Sequence, residues 1–146
     1  MLLDAQTLLS DAQAVSADAV STNIIDLGAV RQIGDGNPLA IVICVDVAAD
    51  ATTGDETYSF EVQTDDNSGF ASPTTLIDQD IPRAVLTAGS IHVIPLPTGS
   101  NPRLERYLRL NYDVGGTTPS ITVTAWVAPL NFVQTAKHYA DGITIS

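Results

Sequence analysis

Cysteine is almost missing: Cys44 stands alone in 146 residues. The chain therefore closes no disulfide on itself and builds no cysteine-rich zinc site. Cys44 sits in the run Leu39-Ala40-Ile41-Val42-Ile43-Cys44-Val45, where a thiol packs as a small hydrophobe rather than reacting. Basic residues are also scarce. Six Lys and Arg face 17 Asp and Glu, for a formal charge of -11. Phosphates would be repelled along most of such a surface, which argues against direct nucleic-acid binding. Charged residues make up only 16%, below the usual ~25%, so this is no charged helical rod. No apolar run approaches the ~18 residues of a membrane span. Met1-Leu2-Leu3-Asp4 lacks the basic region that opens a secretory signal, and no membrane is expected as a partner.

What is present points to one β-domain. The length fits a single core, and a chain of this size buries roughly 70% of its unfolded surface without metal or disulfides. Ile41, Ile43, Val45 and Val47 share one face of a strand, with Val42, Cys44 and Asp46 on the other. Tyr58, Phe60 and Val62 alternate with Ser59, Glu61 and Gln63. Ile91-His92-Val93-Ile94 is short and β-branched. Leu104, Leu108, Leu110 and Tyr112 share a parity, and Ile121, Val123, Ala125 and Val127 alternate with Thr122, Thr124 and Trp126. Period two with β-branched and aromatic residues marks half-buried strands. Shorter candidates are Asn23 to Leu27, Thr74 to Ile77 and Arg83 to Leu86.

The 10 glycines and eight prolines fall largely between these strands, as in Gly34-Asp35-Gly36-Asn37-Pro38 and Asp65-Asp66-Asn67-Ser68-Gly69. Such clusters stop ladders. About eight short strands without a long helix predict an all-β, single-domain antiparallel β-sandwich of jelly-roll type. Extended N- and C-terminal arms flank it: residues 1–21 form the first arm, 22–129 the sandwich and 130–146 the tail. The first arm has two readings. Leu2, Ala5, Leu8, Leu9, Ala12 and Val15 fall near one face of a helix, or the segment is extended and takes its order from a neighbour. Ends rarely order alone, so contacts with other chains are expected.

Catalytic chemistry has little to work with. There is no G-x-S-x-G elbow, no H-E-x-x-H and no P-loop. His92 and His138 share no ligand spacing. The Asp65–Gly69 stretch is faintly like a calcium loop but has Gly69 where an acceptor is needed, so a hairpin turn is expected and no metal. Asp78 and Asp80 are read as a solvated loop before Pro82. Arg103, Arg106 and Arg109 put three of the six basic residues within seven positions. Arg106 has the parity of Leu104 and Leu108, which would aim it at the core side. Either the arginine stems pack with their heads in ion pairs to nearby acids, or they bridge subunits. Apolar arm residues Leu2, Leu3, Leu8 and Leu9 suit burial at an interface, and with the three arginines they are the candidate interface set.

Several phrases then resemble the jelly-roll capsid cement, or decoration, proteins of tailed bacteriophages. They are Asp4-Ala5-Gln6-Thr7-Leu8-Leu9-Ser10-Asp11-Ala12-Gln13, Ser21-Thr22-Asn23-Ile24-Ile25-Asp26-Leu27-Gly28, Phe60-Glu61-Val62-Gln63-Thr64-Asp65-Asp66, Ile94-Pro95-Leu96-Pro97, Arg106-Tyr107-Leu108-Arg109-Leu110-Asn111-Tyr112 and Thr122-Val123-Thr124-Ala125-Trp126-Val127. They span most of the chain in order. The resemblance implies a homotrimer on the outer surface of the phage head that clamps neighbouring copies of the major capsid protein, with no enzyme activity, no cofactor and no catalytic residues to transfer. The alternative is a phage tail or fibre β-module, glycan-binding in one version, which would display aromatics in its loops.

Overall fold

A computed structural model of the chain describes residues 6–28, 39–97 and 104–130. The expectations for Leu2, Leu3, Arg103, His138, the Gly34–Pro38 turn and nearly all of the C-terminal tail lie outside the described residues. Among the described residues nine strands follow in order. They are β1 (Leu8–Val15), β2 (Ala19–Val20), β3 (Ile25–Asp26), β4 (Leu39–Val47), β5 (Thr57–Asp65), β6 (Thr74–Asp80), β7 (Ile91–Pro95), β8 (Tyr107–Gly115) and β9 (Ile121–Pro129).

One sheet has the order β1-β9-β4-β7 and the other β2-β8-β5-β6, with β3 also paired to β8. All pairings are antiparallel. Because β2 and β3 lie along the same neighbour, they act as one interrupted edge strand. The chain then crosses between two four-stranded sheets in two Greek keys, which is the jelly-roll order. The sandwich is therefore as expected, with one strand split in two.

The core forms where alternate residues of both sheets point inward. Ile41, Ile43, Val45, Val123 and Ala125 from one sheet meet Tyr58, Phe60, Val62, Leu108, Leu110 and Tyr112 from the other, and all are buried. The rings of Phe60 and Tyr112 meet edge to face, with centroids 5.8 Å apart and planes at 89°, an arrangement worth about 0.5–1.5 kcal/mol beyond its area. Tyr112 carries a hydroxyl into this core, and Ser10 satisfies it at 2.7 Å.

Three expectations are corrected. First, the body begins at Leu8, not at residue 22. Residues 8–15 are an edge strand paired to β9, and residues 19–20 pair with β8. The strand is extended, not helical. Its ladder slips between Leu8 and Ser10 and again between Ser10 and Gln13, and Ala12 takes φ 45°. Each bulge adds an unpaired residue, so the inward residues Leu9, Ser10 and Val15 lose period two. That broken period is what resembles a helical face. Second, the bulge between Val45 and Val47 turns Val47 outward, where it is 59% exposed. Third, Arg83–Val85 is a 3-10 turn, not a strand. Its amide-to-carbonyl bonds from Val85 to Pro82 and Leu86 to Arg83 tighten the chain, and Leu86 plugs the core.

Two predictions follow from this packing. Burial pushes the Tyr112 phenol up to about 12, against the pull of the Ser10 hydrogen bond. The unfolded chain releases that proton near 10. The folded chain is then fully stabilised below about pH 10 and loses that contribution as pH rises toward about 12. Urea midpoints should fall over this window, less steeply in Tyr112→Phe; equal slopes would refute the assignment. The second concerns Gly116, whose φ is +92° and where a Cβ would stand 2.5 Å from the Asp55 carbonyl oxygen. Gly116→Ala should lose more than about 1 kcal/mol. Gly89→Ala should lose less, since its φ is +83° but nothing lies within 4 Å.

Candidate interaction surface

The two outer sheet faces differ in chemistry. In the β1-β9-β4-β7 sheet the residues pointing away from the core include Val42, Trp126 and Ala128, with Leu8, Cys44 and Val93 beside them. Cross-strand register sets them side by side: Val42 is opposite Trp126 on one flank and Val93 on the other, and Leu8 is opposite Trp126. They form a second apolar cluster. The sequence signal was the unbroken run Leu39–Val45, since a strand covered on both faces reads as continuous rather than alternating hydrophobicity. Cys44 is half-buried, and burial, then the Asp46 charge, pushes its thiol up. A thiol so placed is a packing group.

The outer face of the other sheet is acidic and polar. Glu61 lies opposite Asn111 on β8 and Asp78 on β6. Its carboxylate accepts from Asn111 Nδ2 at 2.7 Å and Gln63 Nε2 at 3.0 Å. Asp78 accepts from the Ser59 hydroxyl. Burial, then the Asp18 and Glu61 charges, raise the Asp113 carboxyl. Asp78 and Asp80 belong to β6, so the expected loop before Pro82 is in fact the end of a strand. Directly opposed carboxylates destabilise a sheet, and this face keeps them.

Arg106 and Arg109 are engaged within their own chain. Arg106 precedes β8, which starts at Tyr107, so strand parity does not govern it and the expected core-side placement is wrong. Its guanidinium grips Asp26 on β3 through two bonds, Nε to Oδ1 at 2.9 Å and Nη2 to Oδ2 at 3.1 Å. The two side chains are 43% and 48% exposed. The arginine hydrogen bond, then the Gly28 amide, holds the Asp26 carboxyl below its usual range. Arg109 donates Nε to Gln63 Oε1 at 2.9 Å, and its guanidinium stacks 4.1 Å from the Phe70 ring centre. Of the arm leucines, Leu9 is fully buried in the core and cannot grip a neighbour, while Leu8 joins the outer apolar cluster.

The remaining candidates make contacts within the chain. Asp65 receives the amides of Asn67 at 3.0 Å and Ser72 at 2.9 Å, and Asn67 Oδ1 receives Gly69 N at 2.7 Å. This is the Asx-type turn expected there. Asp65, Asp66 and Glu105 each bring an oxygen within 4.8 Å of the others. Asp65 already has amide partners on both oxygens. Burial would raise the Asp65 carboxyl, yet those amides outweigh it and hold it low. His92 meets the Ser90 hydroxyl at 3.0 Å, and burial lowers its ring. A groove of about 660 Å³ runs past Glu56, Tyr58, Asp80, Pro82 and Arg83. Its polar groups turn inward: Glu56 caps the amides of Thr53 and Gly54, and Arg83 donates to the Glu56 carbonyl.

Exposed ion pairs contribute little, and salt screens them. A double-mutant cycle of Arg106→Ala with Asp26→Ala should give a coupling of about 0.2–1 kcal/mol at low salt. At high salt it should shrink. A coupling that salt leaves untouched would overturn the exposed-pair description.

No curated protein matches the chain. The family model described as Bbp16 matches residues 9–127, from within β1 to within β9. That match takes in both sheets and most of the sequence, and the chain belongs to the Bbp16 family.

Proposed function

We propose that this chain is a structural capsid cement protein of a tailed bacteriophage. It would sit as a homotrimer on the outside of the head and clamp adjacent copies of the major capsid protein. The observation that carries the reading is the strand order. The phrases that resemble cement proteins call for a jelly roll, and β1-β9-β4-β7 over β2-β8-β5-β6 is that fold. Fold alone does not assign function; the support is fold and wording together. The outer acids of β5, β6 and β8 suit a surface facing solvent between virions, where like charge keeps particles apart. Polar groups turned back on themselves, as at Glu56 and Arg83, suit a protein whose work is contact rather than turnover.

The mechanism is linkage. A protein that binds only the assembled shell stabilises it by about 2.7 kcal/mol per site at a hundredfold excess over Kd. A trimer that touches several capsomers gains further, because its second and third contacts form within one complex. Many such clamps oppose the outward push of packed DNA.

The purified chain should run at the mass of three copies. Added to undecorated heads of its phage, it should appear as density at threefold or quasi-threefold positions on the shell exterior. It should also raise the temperature at which the heads release DNA. A monomer that leaves both the map and the release temperature unchanged would overturn the proposal, and density at the tail tip would favour a tail module.

A further inference from the structure

The connection between β4 and β5, residues 48–56, carries three acids, Asp50, Asp55 and Glu56. Glu56 is 1% exposed. Its two oxygens receive the amides of Thr53 and Gly54, each at 2.9 Å, which closes the loop on itself. Asp50 receives the Thr52 amide at 3.0 Å together with the Thr52 hydroxyl. Asp55 reaches across to the next turn. The ladder of β5 and β8 stops at Thr57 opposite Gly115. Beyond it the Asp55 carboxylate receives the Thr117 amide at 3.1 Å and the Thr117 hydroxyl at 2.9 Å. Backbone bonds anchor the start of the loop, from the Ala49 amide to Leu86 at 2.9 Å and from the Asp50 amide to Ser120 at 2.8 Å. Residues 51–55 are exposed, so what fixes them is polar.

Every donor to these carboxylates is a neutral amide or hydroxyl. Bonds to an ionised acceptor are roughly twice as strong as neutral ones, so the grip depends on the charge. Few other charges face it. Arg83, from its own turn, donates Nη1 to the Glu56 carbonyl at 3.1 Å, and its charge favours ionised Asp55. Tyr58 of β5 faces Asp50 and Glu56. Asp80 of β6 shares the groove with Glu56 and Arg83. The 115–120 turn brings no charged residue. The Thr52 hydroxyl and amide hold the Asp50 carboxyl below its usual range, and the Thr117 amide and hydroxyl do so for Asp55. Burial would raise the Glu56 carboxyl, and the loop amides outweigh it. Folded values below the unfolded ones mean a contribution complete above about pH 4.5 and lost as pH falls below that. The sheets themselves rest on backbone ladders and an apolar layer, and segments with few buried apolar contacts open first. We propose that residues 51–56 are an acid-released latch: protonating Asp55 and Glu56 frees this segment from the 115–120 turn while both sheets stay paired.

Amide hydrogen exchange of the full-length chain, read by NMR as protection relative to the unfolded rate at each pH, tests this. Between about pH 6 and about pH 3 the protection of the Thr53, Gly54 and Thr117 amides should fall about tenfold or more, the change that one pKa unit of linkage brings. Glu61 and Asn111, opposite each other in the middle of the β5 and β8 ladder, should keep theirs. Asp55→Asn keeps the shape and removes the charge. It should lower Thr117 protection several-fold at the higher pH and remove most of its pH dependence. Glu56→Gln should do the same for Thr53 and Gly54. Should Glu56→Gln fail to fold, Asp55→Asn at the exposed position decides alone. Loop protection that ignores pH, or that falls only together with that of Glu61 and Asn111, would overturn the latch. So would a Thr117 profile that Asp55→Asn leaves as it was.

Discussion

Two long antiparallel pairs, β4 with β9 and β5 with β8, hold this molecule together, because the water-free volume lies where their inner faces meet. β5 and β8 stay in register from Thr57 opposite Gly115 to Asp65 opposite Tyr107. β4 and β9 run from Leu39 opposite Pro129 to a bulge beyond Val45. Side chains of period two on four such strands form one continuous apolar layer. The remaining strands are borders to these pairs, and each border is blunted against further pairing. β1 is bulged twice, β6 ends on Asp78 and Asp80, and β7 is five residues ending in Pro95. Bulges, charges and short length are the usual protections of an edge.

The same arrangement separates the two outer faces. One carries Val42, Trp126 and Ala128, and the other carries Glu61, Asp78 and Asp113. A protein of charge -11 can place its acids where they meet water and still keep an apolar layer under cover. The acidic side suits the solvent-facing surface of the proposed shell protein. The ends are tied by hydrogen bonds rather than by bulk. Tyr58 donates to the carbonyls of Asp50 and Ser120, and Glu56 caps the Thr53 and Gly54 amides. Burial would raise the Glu56 carboxyl, and those amides outweigh it and hold it low.

The strands that were legible in the sequence are those with a clean alternation, such as Tyr58–Val62 and Ile121–Val127. There each residue has one neighbour on each face, and the face is settled by hydropathy alone. β1 was not legible, because its bulges erase the period and Ser10 faces inward to meet Tyr112 from a strand a hundred residues away. Arg106 misled for a related reason. Its parity matched Leu104 and Leu108, but β8 does not begin until Tyr107, and parity has no meaning outside a strand. The outer apolar cluster was half visible. The Leu39–Val45 run carries the signal of a strand buried on both sides, though its alternation was read as half-buried, and nothing local joined it to Trp126.

Composition and periodicity alone determined an all-β sandwich with turns where Gly, Asn, Asp and Pro gather. They determined as well a net charge of -11 and a wording without the G-x-S-x-G, H-E-x-x-H or P-loop patterns. These are local properties, since a two-residue period and a turn residue act within a few positions. Only the tertiary structure decided that residues 8–15 are body rather than arm, that Arg106 answers Asp26, and that Leu8, Val42 and Trp126 share a face. Each of these joins residues dozens of positions apart through strand register. Register follows from which pairing buries the most apolar surface across both sheets at once, and no short window of the chain contains that sum.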